Sequence, residues 1–190
     1  GLLAFHAGLT QRAFAAARAW AGRLPGGLAV ATVFATAGFA AVSGASTATA
    51  AVFTRVSVPE MLKAGYDPRL AAGVVAAGGT LASLIPPSAI LVLYGIIVEE
   101  SVGALLLAGF VPGILSAFLY AAFIVLRVKI SPELGPATTE AVPMLEKFRA
   151  LGKAWGLLAV IGVVVVGLYT GWMTPTEVGG VGAALVLIMA

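Results

Sequence analysis

Residues 43–49 read Ser-Gly-Ala-Ser-Thr-Ala-Thr, and residues 78–88 read Gly-Gly-Thr-Leu-Ala-Ser-Leu-Ile-Pro-Pro-Ser. Both stretches combine hydroxyl side chains with residues that interrupt a helix. Glycine frees the backbone to turn. Pro86 and Pro87 remove two amide donors and push the preceding residue out of the α region. The helix must therefore open near residues 82 and 83, releasing carbonyls beside Ser and Thr oxygens. A single Ser or Thr in an apolar helix ordinarily bonds its own backbone or a neighbouring helix. Ser43, Ser46 and Thr49 form a cluster around Gly44, and with the second break they point to an ion or substrate site.

The elements that carry these breaks are set by composition. The 190-residue chain is 61% hydrophobic and 10% charged, with no cysteine. Soluble domains carry about 25% charged residues, so too little polar surface is available to cover a soluble domain. The mean hydropathy of +1.07 agrees. A soluble enzyme, a disordered regulator and a disulfide scaffold are excluded, and a membrane protein is expected. The net charge of +3 then reports basic residues gathered on one membrane face, with no nucleic-acid partner. The chain opens on Gly1 and stops within the apolar run Val178–Ala190, so a portion of a longer protein is expected.

Charges divide the chain into spans. Uncharged runs of 31, 29, 26 and 23 residues occupy positions 24–54, 70–98, 101–126 and 154–176. Each exceeds the roughly 20 apolar residues that cross a bilayer. If every run crossed once, Arg12, Arg18 and Arg23 would face one side, with Arg55, Lys63 and Arg69 on the other. If residues 24–54 instead enter and leave by one face, all eleven Lys and Arg share that face. The positive-inside rule selects this second arrangement, a re-entrant helical hairpin. Two arms of about a dozen residues rise roughly 18 Å each, which puts the Ser43–Thr49 turn near the bilayer midplane. Irregular backbone at that depth requires protein or a water-filled cavity around it, and two such breaks in succession mark a transporter binding site.

The acidic residues have simpler roles. Ser57-Val-Pro-Glu60 and Thr174-Pro-Thr-Glu177 have the form of capping boxes, and Asp67-Pro68 that of an N-cap followed by Pro. Glu99 and Glu100 mark a solvated outer end. His6, the single histidine, has no companions at metal-ligand spacing. Trp20, Trp155 and Trp172 stand near span ends as interfacial anchors. No Walker motif or dinucleotide fingerprint is present. General acid–base catalysis has no candidate residues at membrane depth.

Longer strings then resemble a known family. Leu24-Pro-Gly-Gly-Leu-Ala-Val-Ala-Thr32, Phe39-Ala-Ala-Val-Ser-Gly-Ala-Ser-Thr-Ala-Thr-Ala-Ala51 and Pro59-Glu-Met-Leu-Lys-Ala-Gly-Tyr66 are similar to the large membrane subunit, of the DctM type, of tripartite ATP-independent periplasmic (TRAP) transporters. So are Gly78–Ser88, Tyr94-Gly95, Ala108-Gly-Phe-Val-Pro-Gly113 and Thr174–Glu177. The resemblance implies an all-α polytopic membrane protein. It also implies an inverted-repeat, elevator-type transporter with a re-entrant helical hairpin and a broken transmembrane helix. The implied activity is sodium-driven import of organic anions such as C4-dicarboxylates or sialic acids, across a bacterial or archaeal cytoplasmic membrane. The implied partners are a small four-helix membrane subunit of the DctQ type and a periplasmic binding protein; sodium is the coupling ion and no other cofactor is implied.

Carried over by motif, Ser43, Gly44, Ser46 and Thr49 form the hairpin tip, opposed by Gly79, Thr80, Pro86, Pro87 and Ser88. The two breaks are expected to face each other. Sodium falls to Ser43, Gly44, Ser46, Thr49, Gly79, Thr80 and Pro86, through hydroxyl and backbone oxygens suited to a hard cation. Substrate falls to Ser43, Ser46, Thr49, Pro87 and Ser88. The chain departs from the family at Ala45, commonly Ser, and at Ala82, commonly Gly, so no side-chain ligand is available at position 45. The expected organisation is an interfacial helical segment (1–25), the hairpin (26–56), a surface helix and broken transmembrane helix (57–100), and a transmembrane helix (101–129). A cytoplasmic loop with a short helix near Met144–Ala150 (130–153), a transmembrane helix (154–173) and the start of a second repeat (174–190) follow. An elevator-type dicarboxylate symporter without a binding protein is the nearest alternative, and a membrane scaffold or intramembrane enzyme the alternatives of another class.

Overall fold

A computed structural model describes residues 8–136 and 142–189; His6 lies outside them. The described residues are helical, without strands. Helix α1 (Leu9–Ala21) leads into α2 (Gly27–Ser43), and two residues later α3 (Ser46–Lys63) begins. Phe39 and Phe53, both fully buried, meet edge to face at 5.7 Å across this break, so α2 and α3 are antiparallel arms of one hairpin. The arms are 17 and 18 residues long, about 26 Å each at 1.5 Å per residue, and longer than the dozen expected. The second arm runs unbroken through Ser57 and Pro59 to Lys63, so neither the capping box at Ser57 nor a separate surface helix forms there. Ser57 is buried without a hydrogen-bond partner.

Helix α2 is the centre of the packing. Leu28 to Val33 and Phe39 to Ala41 are all buried, because the helix packs against α1, α3, α4 (Pro68–Thr80), α6 (Val102–Ile130) and α8 (Trp155–Tyr169), which leave only Phe34, Ala37 and Gly38 in its middle half-buried. An arm apolar around its whole circumference needs neighbours on most of its faces. Asp67 caps α4, accepting from the amides of Arg69 and Leu70 at 2.8 and 3.2 Å. After α4 come a 3₁₀ turn (Leu81–Ser83), a cis Pro86–Pro87 bond and α5 (Ala89–Ile97). Run 70–98 is thus two short helices around a turn.

Helix α6 has 29 residues and is the one described helix long and apolar enough by itself to cross a bilayer. Residues 130–153 hold α7 (Met144–Lys153), which meets α8 at 62°. Helix α8 stops at Tyr169 after 15 residues, shorter than the expected 154–173, because Gly171 turns the chain with φ +71°. The Thr174–Glu177 capping box then starts α9 (Pro175–Met189): the amide and hydroxyl of Thr174 donate to the Glu177 carboxylate at 2.7 and 2.8 Å. These bonds hold the Glu177 carboxyl below the usual carboxylate range.

Tertiary contacts collect the basic segments at one end. Arg18 on α1 reaches Glu60 on α3 at 3.8 Å, and Trp20 meets Phe148 of α7 at 5.7 Å. Gly26 lies against Ile124 and Val128 near the end of α6. The buried Tyr66 hydroxyl accepts from the amide of Leu28 at 3.2 Å, and Leu134 accepts from the amide of Asp67 at 3.0 Å. Both outer ends of the hairpin therefore sit with Arg127 and Lys129. Glu99 and Glu100, exposed, are at the far end of α6, about 40 Å away by helix rise.

Candidate functional site

The hairpin tip and the α4–α5 break meet. Gly44 adopts φ +64°, and its amide donates to Ala40 to close α2. Its carbonyl accepts from the amide of Ala89 at 3.0 Å, and the space where a Cβ would stand is taken by the Pro87 carbonyl. Only glycine satisfies both the left-handed turn and this approach. Gly79 provides a second close contact: a Cβ there would lie 2.9 Å from the Ala50 methyl and 3.2 Å from the Ser46 carbonyl oxygen. Gly78 sits against Thr36 in the same way, with 2.5 Å to its hydroxyl.

Helix α6 sets the depth of this junction. Its Gly109 and Gly113 lie against Leu84 and Ile85 in the break. Twelve residues precede Gly113 in the uncharged run 101–126, and thirteen follow. The junction is thus level with the middle of the apolar segment. Gly109→Ala tests this contact. Helix propensity favours alanine by about 1 kcal/mol, but the added Cβ would stand 2.6 Å from the Leu84 carbonyl oxygen. Backbone cannot rotate away, so a net loss of about 1–2 kcal/mol is expected. Gly103→Ala, whose nearest neighbour is 3.9 Å away, is expected to show only the propensity gain. Thermal denaturation of the two variants compares them directly.

Polar groups at the junction divide into satisfied and unsatisfied. Ser43 Oγ and Thr49 Oγ1 are buried and have no hydrogen-bond partner; Thr49 is fully buried. The amides of Ser46, Thr47 and Ala48 precede the first intrahelical bond of α3, and no side chain caps them. Ala45 occupies the N-cap position in extended conformation, where a serine would accept from one of those amides. The N-terminal end of α3, with its partial positive charge, therefore opens at the tip with two unpaired hydroxyl oxygens beside it.

The second break contributes less side-chain chemistry than expected. Ser88 Oγ donates to the Ser83 carbonyl at 2.8 Å and accepts from the Leu91 amide at 3.3 Å, so it caps α5 and is engaged within its own turn. That bond also occupies the Ser83 carbonyl, one of those expected to be released. Thr80 is exposed; its hydroxyl lies 2.6 Å from the Ala77 carbonyl and 3.3 Å from the Tyr120 hydroxyl of α6, and it is directed to α6. Pro86 is buried and Pro87 half-buried. Thr36 was not among the expected residues although it is buried at the junction. Its spacing of four from Thr32 gave a weak signal, since both hydroxyls bond the preceding turn of α2. A cavity of about 90 Å³ behind the tip is lined by Val42, Pro87, Val160, Val164 and residues of α9, which places α9 beside the hairpin.

Comparison with known proteins identifies the family. The family model of the tripartite ATP-independent periplasmic transporter, DctM component, matches residues 1–190. The chain belongs to the DctM family of TRAP transporters. It is 40% identical over 179 residues to the C4-dicarboxylate TRAP transporter large permease protein DctM of Pseudomonas aeruginosa, covering 93% of this chain and 40% of that one. Identity to the sialic acid TRAP transporter large permease protein SiaM of Vibrio cholerae is 32%, over 100% of this chain and 44% of that protein. The ectoine TRAP transporter large permease protein TeaC of Halomonas elongata is 34% identical over 84% of this chain and 36% of its own length. The chain thus spans about two fifths of the DctM-family relatives it matches. Their names describe permease proteins of TRAP transporters.

Proposed function

We propose that this chain is the ion- and substrate-binding part of a TRAP large permease subunit that imports organic anions by sodium coupling and an elevator movement. A periplasmic binding protein delivers the substrate, and a small DctQ-type membrane subunit completes the permease. The observation that carries this reading is the junction of two helix breaks at mid-span, with Ser43 and Thr49 unpaired beside it. Buried hydroxyls without partners cost about 1–3 kcal/mol each, which a bound cation offsets by taking them as ligands. Sodium is a hard cation held well by hydroxyl and carbonyl oxygens. Ser43, Thr49 and the Gly44 carbonyl would hold it, with backbone of the α4–α5 break opposite; Thr80 and Ser88 are engaged elsewhere.

The uncapped start of α3 is suited to the carboxylate of the substrate, since discontinuous helices direct amide ends at anions. Named relatives handle C4-dicarboxylates and sialic acids, which fits an anion-binding tip without a fixed lysine or arginine. The test is uptake of a C4-dicarboxylate or sialic acid by the full-length subunit, reconstituted with its partner subunit and binding protein. Replacing external sodium with choline is expected to abolish uptake, while collapsing the proton gradient alone leaves it intact. Uptake that persists in choline would overturn sodium coupling.

A further inference from the structure

Two adjoining cavities, of about 610 and 530 Å³, open at the basic end between α1, the outer part of α3 and α7. They share Gln11, Ala15 and Ala19 along one side of α1. Arg18 and Arg55 line the first, and Arg12, Arg149 and Lys153 the second. Among the described residues, two carboxylates oppose these five cations, Glu60 and Glu146. Glu60 already has Arg18 and Lys63 each at 3.8 Å, so the basin keeps an excess of positive charge.

Helix α7 gives the basin its depth. None of its residues is buried. Met144, Leu145 and Phe148 are all exposed, while Glu146, Arg149 and Lys153 border the basin. An amphipathic helix that crosses a span at 62° belongs in the plane of the membrane interface, with its charged side at headgroup level. Trp20, exposed and with Lys147 over its ring at 5.7 Å, marks the same level. Beyond α1 runs an apolar groove of about 530 Å³ that includes Phe34, Gly38, Leu157 and Ile161. Ala150 and Lys153 border the basin, and Leu151 and Ala154 the groove, so one turn of chain joins a cationic site to an acyl-sized channel.

We propose that this basin binds the phosphate of an anionic phospholipid, with an acyl chain lying in the adjoining groove. Guanidinium groups take phosphate oxygens through paired hydrogen bonds, and basic pockets between helices on the cytoplasmic side are suited to anionic headgroups. The site rests on membrane placement alone and is independent of sodium coupling.

Its test counts lipids retained by the purified full-length transporter, using native mass spectrometry after exposure to phosphatidylglycerol or phosphatidylcholine. Phosphatidylglycerol is expected to be retained in preference. Arg149→Gln with Lys153→Gln is expected to weaken that retention about 25-fold, at about fivefold per cation. Arg149→Lys with Lys153→Arg should preserve it, which separates loss of charge from loss of fold. Arg127→Gln with Lys129→Gln, at the same end but outside the basin, should leave it unchanged. Equal retention of the two lipids, or equal losses in the two glutamine pairs, would overturn the site. Displacement of the lipid by inorganic phosphate would overturn the lipid assignment in favour of a soluble anion.

Discussion

Replacing Gly44 with alanine is expected to abolish transport by the full-length subunit and to lower its melting temperature. Two independent costs act at this position. The left-handed backbone of Gly44, φ +64°, costs an L-residue about 1–2 kcal/mol. The new Cβ would then fall on the Pro87 carbonyl, which is backbone and cannot swing aside. The tip must retreat from the α4–α5 turn, and the bond from the Ala89 amide to the Gly44 carbonyl is lost with it. Gly73→Ala is the matched control, because nothing lies within 4 Å of a Cβ there. It is expected to gain roughly 0.5–1 kcal/mol from helix propensity and keep uptake. If Gly44→Ala transports and melts like Gly73→Ala, the junction of the two breaks has no functional role.

Loss of the two unpaired hydroxyls is the second large effect. Ser43→Ala with Thr49→Ala is expected to raise the sodium concentration needed for half-maximal uptake about 100-fold. Each hydroxyl facing a cation contributes about 1.5 kcal/mol, or about tenfold. Thr49→Ser restores an oxygen at the same position and should recover most of its share. In the absence of sodium the double variant is expected to be more stable than the parent, since two buried groups no longer lack partners. That reversal separates ligation from a merely structural role. Unchanged sodium dependence in the double variant would remove Ser43 and Thr49 from the site.

Particular residues show how far the sequence reaches. The breaks at Gly44 and Pro86–Pro87 were legible because glycine and proline act on the local backbone wherever they stand. The caps at Asp67 and Thr174 were legible for the same reason: a short side chain accepts from an amide two or three residues on, Asp67 from Arg69 and Thr174 from Glu177. Ser57 looked equally like a cap, with Pro59 in the first turn and Glu60 three residues on. There the hairpin arm continued, since burial of Phe53 and Met61 on one helix outweighs a local signal of about 1 kcal/mol. Thr80 and Ser88 show the complementary limit. Their identity as hydroxyls was plain, but whether each meets a ligand, Tyr120 or its own turn depends on rotation of short helices that no local pattern records.

The sequence by itself determined that this is a membrane protein, that its basic residues belong at one end, and that two helix breaks interrupt its apolar runs. Charge count, charge position and backbone restriction are properties of residues in order, and they need no partner to act. Only the tertiary structure decided that Gly44 lies on Pro87, that α6 puts their junction level with Gly109 and Gly113, and that Ser43 and Thr49 remain unpaired there while Ser88 does not. Those outcomes depend on which helix faces pack together, and close packing between segments distant in the chain fixes that choice.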